Sequence, residues 1–271
     1  MTQVSKIRAV AFKALVGSLC YFAGVSAVFA LDSKAPLTWT SISNDLEVLE
    51  VGAPALFSSQ MFFARTALKD YQVSVVVAQD FGRRVQSAKN VAENSKSVLA
   101  INGNFFDPDL KALGLVVNRG IQRNRIHKGG RVLTGIFELS GKGLNIFSRD
   151  GYEPLKALEA IQAGPRLLEN GKPIAGLDAK DSITRRAGVC LDEKGRLVFF
   201  CSTSNLGGIS LGDLQEVLLS SDVGCKNALN LDGGGSAQLY LKVNQKENRP
   251  QYEYFSPGMD EVPVFLTLKA R

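Results

Sequence analysis

An apolar segment that ends in one aspartate and three consecutive glycines is the feature that most constrains how this chain can fold. Residues 230–236 read Asn-Leu-Asp-Gly-Gly-Gly-Ser, and apolar residues dominate both 227–231 and 237–241. Short apolar runs bounded by glycine predict two buried strands, so Asp232 should lie in the turn between them. Glycine in such a turn lets a ligand approach the backbone N–H groups. An irregular hairpin or bulge without a function is the alternative interpretation.

The rest of the chain alternates short apolar runs with polar turns. Residues 97–101 form an apolar run that leads directly into the Asn-Gly-Asn turn at 102–104. A helix is predicted at 85–95, and another after Ser210, where Asp213 completes a capping-box pattern. Further strands are predicted at 73–78, 113–117, 134–139, 144–147, 185–191, 197–201 and 262–268.

These elements predict an α+β fold, a single domain with a mixed β-sheet core and flanking helices. The strand, helix and strand predicted over 197–231 form a plausible crossover unit, which favours this fold over a pure β sandwich. The chain contains no repeat, low-complexity linker or change in composition that would separate a second domain. We therefore expect one main domain at 71–271 and an N-terminal segment at 31–70 that packs on it.

The first thirty residues have the pattern of a secretory signal peptide. Lys6, Arg8 and Lys13 precede an uncharged apolar run at 14–30, which ends in small residues at the expected cleavage site. An uncleaved membrane anchor is the alternative, although the run is shorter than the ~20 residues that a spanning helix usually needs. We expect a signal peptide at 1–30, a periplasmic or secreted protein, and no stable membrane insertion after removal of the leader.

Charge and cysteine content restrict the partners and the redox state of the mature chain. Removal of the leader takes away three basic residues and no acidic ones, so 29 of the 32 Lys and Arg residues remain against 26 Asp and Glu residues. No dense basic run interleaved with aromatic residues is present, so we expect no nucleic-acid partner. Export would place Cys190, Cys201 and Cys225 in an oxidising compartment, where one disulfide and one buried thiol are expected. Three pairings are possible, and the sequence does not choose among them.

The residues available for chemistry are restricted because His127 is the only histidine. A zinc site with several histidines is excluded, and any Ser-His-Asp arrangement would have to use that one residue. Ser236 lacks the second glycine of a Gly-x-Ser-x-Gly nucleophile turn, and the chain has no phosphate-binding P-loop motif. Polar residues at predicted strand ends remain, and they are Asn102, Asn104, Asp107, Arg166, Arg185, Arg186, Asp232 and Ser236. Each could be an ordinary turn or surface residue, but together the arginines could bind an anionic group while the amides bind sugar hydroxyls.

Five motifs follow one another along the chain, and they are Ala100-Ile-Asn-Gly-Asn-Phe-Phe, Leu113-Gly-Leu-Val-Val, Ala163-Gly-Pro-Arg-Leu-Leu, Arg186-Ala-Gly-Val and Ala228-Leu-Asn-Leu-Asp-Gly-Gly-Gly-Ser. Phosphodiester glycosidase domains have these motifs in the same order, and roughly residues 70–268 resemble that family. The family often reads Arg-Thr-Ala-Ile-Gly where this chain has Thr184-Arg-Arg-Ala-Gly, so Arg185 and Arg186 both stay candidates for the family's arginine. The resemblance implies a hydrolase that cleaves the bond between a sugar's anomeric carbon and a phosphodiester, and the leader predicts that this hydrolase is exported.

The resemblance also implies roles for the polar residues. Asp232 would act as base or nucleophile at the anomeric carbon, and Asn102 and Asp107 would complete the catalytic group, with Asp107 as the second carboxylate. Substrate binding would fall to Asn104, Arg166, Arg185, Arg186, Gly233, Gly234, Gly235 and Ser236. Arginines suit a phosphate leaving group, because it needs charge stabilisation more than protonation. The implied substrate is a phosphorylated glycan or sugar-1-phosphodiester; no cofactor or metal is expected, and retention versus inversion stays open.

Two other functions fit the same residues. A non-catalytic protein could use these polar residues, gathered in one cleft, to bind a phosphorylated glycan during exopolysaccharide or cell-envelope assembly. A phosphodiesterase that attacks phosphorus would usually recruit metal ions, and an all-oxygen site at Asp107 and Asp232 could hold them.

Overall fold

A computed structural model describes residues 37–52, 60–154, 156–177, 182–203, 207–244 and 251–271. The expected signal peptide at 1–30 lies outside these residues, as do parts of the N-terminal segment at 31–70. The described residues contain eighteen strands and two α-helices. In chain order they are β1 (Thr40–Ser43), β2 (Leu46–Gly52), β3 (Gln60–Thr66), β4 (Tyr71–Val77), α1 (Ala88–Ser95), β5 (Leu99–Asn102), β6 (Val116–Asn118), β7 (Ile121–Asn124), β8 (Gly135–Ser140), β9 (Gly143–Ser148), β10 (Ala157–Ala163), β11 (Arg166–Glu169), β12 (Lys172–Pro173), β13 (Ala187–Asp192), β14 (Leu197–Thr203), α2 (Leu211–Leu219), β15 (Cys225–Asn230), β16 (Leu239–Val243), β17 (Tyr252–Ser256) and β18 (Val264–Ala270).

The strands form three antiparallel sheets. The first has eight strands in the order β1-β2-β3-β14-β13-β15-β11-β12. The second has five strands in the order β7-β6-β10-β8-β9, and the third has five in the order β17-β16-β5-β18-β4. Strands β1 to β3, from the expected N-terminal segment, extend the first sheet through the long pairing of β3 with β14. Within the described ranges, no helix is long and apolar enough to cross a membrane.

The prediction of an α+β fold with a mixed sheet and flanking helices is wrong, because the structure is mostly β and its strand pairs are antiparallel. The expected strand, helix and strand are present as β14, α2 and β15. However, β13 lies between the two strands and pairs antiparallel with both. Continuous apolar runs predict burial on both faces of a strand, and a second sheet can bury a face as well as helices can.

Alternation along the strands distributes apolar side chains between two sides of each sheet. In β14, Leu197, Phe199 and Cys201 lie in a large core to which all three sheets contribute. Val198 and Phe200, which point to the opposite face, lie in a second cluster with residues of α2. Successive side chains of a strand point to opposite faces, so one short apolar run contributes to both clusters.

The two helices cover outer faces of the first and third sheets. Ser210 caps α2, since its hydroxyl oxygen accepts from the backbone N–H of Asp213 (3.1 Å) and the hydroxyl donates to the Asp213 carboxylate (2.7 Å). Leu214 and Leu218 of α2 are fully buried against the first sheet. Helix α1 packs Val91 and neighbouring alanines against the third sheet. The cap predicted at Ser210 and Asp213 is thus confirmed.

A disulfide joins neighbouring strands of the first sheet. It links Cys190 of β13 to Cys225 of β15, 35 residues further along the chain. Cys201 on β14 is free and fully buried. Cys190 belongs to the cluster under α2 and Cys201 to the inner core, so their two sulfur atoms point to opposite faces of the sheet. The structure therefore has one disulfide and one buried thiol, and it selects one of the three pairings.

Candidate active site

The two polar turns identified in the sequence lie side by side. β5 ends at Asn102 in the third sheet, and β15 ends two residues before Asp232 in the first sheet. The backbone N–H of Asp232 donates to the carbonyl of Gly103 (3.1 Å). The buried Asn102 side chain donates to the Asp232 carbonyl (2.7 Å) and accepts from the N–H of Gln238 (3.0 Å). Asn102 therefore fixes the backbone on both sides of the glycine turn.

The Asp232 carboxyl group has an altered acidity. Burial raises its pKa to about 6, because the carboxylate loses hydration when it is removed from water. Hydrogen bonds from the Ser236 hydroxyl and the Gly233 N–H stabilise the carboxylate and oppose this rise in pKa, whereas the nearby charge of Asp260 adds to it. A carboxylate with a pKa near 6 is a stronger base than an ordinary aspartate, which suits acid-base or nucleophilic chemistry.

Asp260 is a site residue that the sequence did not reveal. The backbone N–H groups of Met259 and Asp260 donate to the carbonyl of Gly235 (2.8 and 3.1 Å), and the Gln238 amide donates to the Asp260 carbonyl (2.9 Å). These bonds hold the exposed Asp260 side chain against the glycine turn. Asp260 follows Pro257-Gly258-Met259 and belongs to no recognisable motif. An acidic residue shortly after a turn dipeptide is the only sequence feature that could have indicated it.

Close approach of other chain segments explains two of the three glycines. A Cβ atom at Gly235 would lie 2.1 Å from a carboxylate oxygen of Asp260. A Cβ atom at Gly233 would lie 2.8 Å from the carbonyl oxygen of Arg185, which also accepts from the N–H of Gly234 (2.9 Å). The glycine turn thus packs directly on the Arg185 backbone on one side and on the Asp260 carboxylate on the other.

Arg185 ties the glycine turn to the segment that carries Asp260. Its guanidinium is buried and donates to the carbonyls of Ala237 (2.7 Å) and Pro257 (2.6 Å), with a longer bond to the Ser256 hydroxyl (3.3 Å). The Nε of Arg185 is buried without a hydrogen-bond partner in the described residues. One guanidinium therefore connects the two segments that approach Asp232.

Arg186 and Arg166 flank the strand that leads to Asp232. The guanidinium of Arg186 donates to the carbonyls of Ile209 (3.1 Å) and Ser182 (2.8 Å), and its Cδ would lie 3.9 Å from a Cβ at Gly233. Arg166 begins β11, pairs with β15, and donates to the Glu169 carboxylate (2.5 Å). Both arginines are mostly buried, so their charges act in surroundings that screen them little.

Asn104 and Asp107 continue the loop after β5. The Asn104 amide donates to the carbonyl of Leu113 (3.0 Å), and its side-chain oxygen is buried without a hydrogen-bond partner in the described residues. Asp107 accepts from the N–H of Lys111 (2.9 Å) and so closes its own turn. No hydrogen bond in the described residues links the Asp107 carboxylate to Asp232.

His127 and the residue types that bind metals do not form a further candidate catalytic or metal site in the described residues. His127 is exposed on the loop after β7, and its backbone is held by the buried side chain of Gln162 (2.8 Å to both the N–H and the carbonyl). In the part of the chain that the structure describes, no group of three or more His, Cys, Asp and Glu residues could hold a metal ion.

A mostly β domain thus places a half-buried carboxylate of raised pKa in the glycine turn, with Arg185, Arg186 and the Asp260 carboxylate against that turn. This arrangement is suited to hydrolysis at a charged substrate. A family profile for phosphodiester glycosidases matches residues 95–265. That match covers more than half of the chain and includes β5, β15 and both turns. The chain belongs to the phosphodiester glycosidase family.

Two solved structures share the fold of this chain. The catalytic domain of zebrafish N-acetylglucosamine-1-phosphodiester alpha-N-acetylglucosaminidase, auto-inhibited by its pro-peptide, superimposes with a TM-score of 0.64 at 19% identity, over 88% of this chain and 87% of that one. A hypothetical protein from Synechocystis superimposes with a TM-score of 0.61 at 14% identity, over 89% of this chain and 64% of that one. These identities are low, so the likeness shows the fold alone. Among curated proteins, none has significant sequence similarity to this chain.

Proposed function

We propose that this chain is an exported hydrolase that cleaves the glycosidic bond of a sugar-1-phosphodiester in an envelope or extracellular glycan. The observation that carries the proposal is the Asp232 carboxylate, whose pKa burial raises to about 6 inside a domain of the phosphodiester glycosidase family. The leader pattern at 1–30 supports export to the periplasm or outside the cell.

The reaction follows from the chemistry of the leaving group. Water, activated by Asp232 as base, attacks the anomeric carbon, or Asp232 itself attacks as nucleophile and water then releases the sugar. The bond from that carbon to the phosphate oxygen breaks, and the electron pair stays on the phosphate. Both routes need Asp232 ionised. Arg186, whose side chain approaches Gly233, supports the proposal because positive charge in a partly buried site stabilises the departing phosphate.

Asp260 is better placed than Asp107 to serve as a second carboxylate. Its side chain lies against Gly235 and its charge acts on Asp232. Asp107 instead closes its own turn through Lys111. Glycosidases commonly use two carboxyl groups at the scissile bond, so an Asp232 and Asp260 pair fits that requirement.

The test is hydrolysis of a sugar-1-phosphodiester by the mature protein and by D232N. We expect the substitution to lower kcat/KM by ~10²-fold or more, as for a residue that acts in the transition state. D109N, which removes an exposed carboxylate from the loop after β5, is the control for loss of a carboxylate and should retain activity. Undiminished activity of folded D232N would contradict the proposal.

Hydrolysis in ¹⁸O-labelled water separates the proposed reaction from its alternatives. Label at the anomeric hydroxyl of the released sugar supports the glycosidase, whereas label in the phosphate would identify a phosphodiesterase that attacks phosphorus. Tight binding of a phosphorylated glycan without any turnover would identify a non-catalytic phosphoglycan-binding protein instead.

A further inference from the structure

A cleft lies at the edge of the second sheet that β8 and β9 form. Its volume is about 710 Å³, and its wall includes Glu138, Asn145, Phe147 and Tyr152, which define what we call the Tyr152 cleft. A smaller depression of about 290 Å³ shares residues 150–153 with it. These volumes are in or near the range of small-ligand pockets. None of the wall residues belongs to the turns that hold the catalytic aspartate.

The polar and aromatic side chains of the Tyr152 cleft are fixed by their own contacts. The Tyr152 hydroxyl donates to the carboxylate of Glu138, which is only 8% exposed. The rings of Phe147 and Tyr152 lie side by side, with centroids 5.6 Å apart and planes tilted by 39°. Burial raises the pKa of Tyr152, so its phenol stays protonated and keeps donating. The cleft therefore presents two aromatic rings and a carboxylate in a defined arrangement.

The turn that carries Tyr152 is also anchored. The Arg149 side chain donates to the carbonyls of Gly129 (2.6 Å) and Gly130 (3.0 Å), and the Arg149 carbonyl accepts from the N–H of Tyr152 (3.2 Å). The Tyr152 ring packs on the apolar cluster that includes Ile136 of β8. A site whose walls are held in place loses little entropy when a ligand binds.

We infer that the Tyr152 cleft is a saccharide-binding site for an uncharged sugar unit, separate from the catalytic turns. Sugar rings have apolar C–H faces that pack on aromatic rings, and Phe147 leaves 38% of its surface exposed for that contact. The Glu138 carboxylate and the Asn145 amide supply acceptors and donors for hydroxyl groups. Two lysines line the cleft together with three carboxylates, so no excess of positive charge selects an anionic ligand.

The test measures binding of three uncharged tetrasaccharides, built from glucose, galactose and N-acetylglucosamine, by calorimetry and saturation-transfer NMR. The D232N protein is used, so the result does not depend on turnover or on the proposed reaction. We expect at least one tetrasaccharide to bind, and F147A to weaken that binding roughly tenfold because the stacking surface is lost. N145A should weaken it through loss of hydrogen bonds.

F81A is the matched control, since Phe81 is 36% exposed and lies outside the cleft. It should bind the same tetrasaccharide with unchanged affinity. Failure of all three tetrasaccharides to bind, or equal binding by F147A and F81A, would overturn the inference. F147A removes the contact of this ring with Tyr152, so a slightly lower Tm is expected, and a melt that stays cooperative shows that the fold is retained.

Discussion

The acidity of Asp232 gives a sharp prediction, because its neighbours move its pKa in opposite directions. If catalysis needs ionised Asp232, kcat/KM should rise with pH through about 6, from about 10% of the plateau at pH 5 to about 90% at pH 7. The Ser236 hydroxyl lowers the pKa of Asp232 and the Asp260 charge raises it. The acidic limb is the part of the pH profile of kcat/KM in which activity rises with pH. S236A should therefore move this limb to higher pH, and D260N should move it to lower pH.

The size of each shift follows from the contact removed. A hydrogen bond to a charged group contributes about 1.5–3 kcal/mol, and one pKa unit equals about 1.4 kcal/mol, so S236A should raise the limb by about 1 to 2 pH units. Activity at pH 6 would then fall from half of the plateau to about a tenth or less. The effect of Asp260 is the weakest of the four influences on Asp232, so D260N should lower the limb by less than about one unit.

The assay is kcat/KM on a sugar-1-phosphodiester between pH 4.5 and 9 at constant ionic strength. A lost substrate contact would lower the plateau, whereas a changed pKa moves the limb, so the two effects are separable. S220A, which removes a hydroxyl at the end of α2, should leave the limb in place. Limbs that stay unchanged, or that move in the same direction in S236A and D260N, would refute the assignment of Asp232 as the ionising group.

Two further predictions concern stability. A carboxyl group whose pKa is raised from 3.8 to about 6 costs stability above pH 6 and none below its unfolded value, so D232N should be about 3 kcal/mol more stable than the parent at pH 8 and equally stable at pH 3. Urea denaturation at the two pH values measures this, and a pH-independent difference would contradict it. Loss of the Cys190–Cys225 disulfide, by C190S with C225S, should cost about 4 kcal/mol from loop-closure entropy, given the separation of 35 residues. Thermal melts should show a lower Tm for this variant, and the parent in reductant should match it; an unchanged Tm would show that the closed loop contributes little.

Local features of the fold followed from the sequence, but its class did not. The apolar run at 197–201 and the cap at Ser210 depend on near neighbours in the chain, and both are present in β14 and α2. A continuous apolar run indicates that both faces of a strand are buried. It does not show whether the neighbouring strand runs parallel or antiparallel, because a second sheet can bury a face as well as a helix can. The crossover from β14 to β15 was thus recognisable, while the strand β13 inserted between them was not.

In the candidate site too, the features that depend on neighbouring residues were predictable from the sequence, and those that depend on distant segments were not. The turns at 102–104 and 232–236 were identified from their composition. In the structure, a hydrogen bond from the backbone N–H of Asp232 to the carbonyl of Gly103 joins them. Asp260 escaped notice because its position depends on backbone bonds from its own segment to Gly235, which no local pattern encodes. Sequence also gives a residue type without its direction: the Arg185 guanidinium, expected to face an anion, is directed at two backbone carbonyls.

The turns at 102–104 and 232–236 follow strands of different sheets. This placement affects how the chain folds and whether fragments of it can form complete sheets. The third sheet takes β4 and β5 from early in the chain and β16 to β18 from its end, while the first sheet takes strands from both sides of β5. Neither sheet is a contiguous stretch of chain, so a cut at any loop between β4 and β15 would leave both sheets incomplete in both fragments. Such interleaving gives a high contact order, for which slow folding is expected. The proposed activity should therefore appear only late in folding, when the last strand has joined the third sheet.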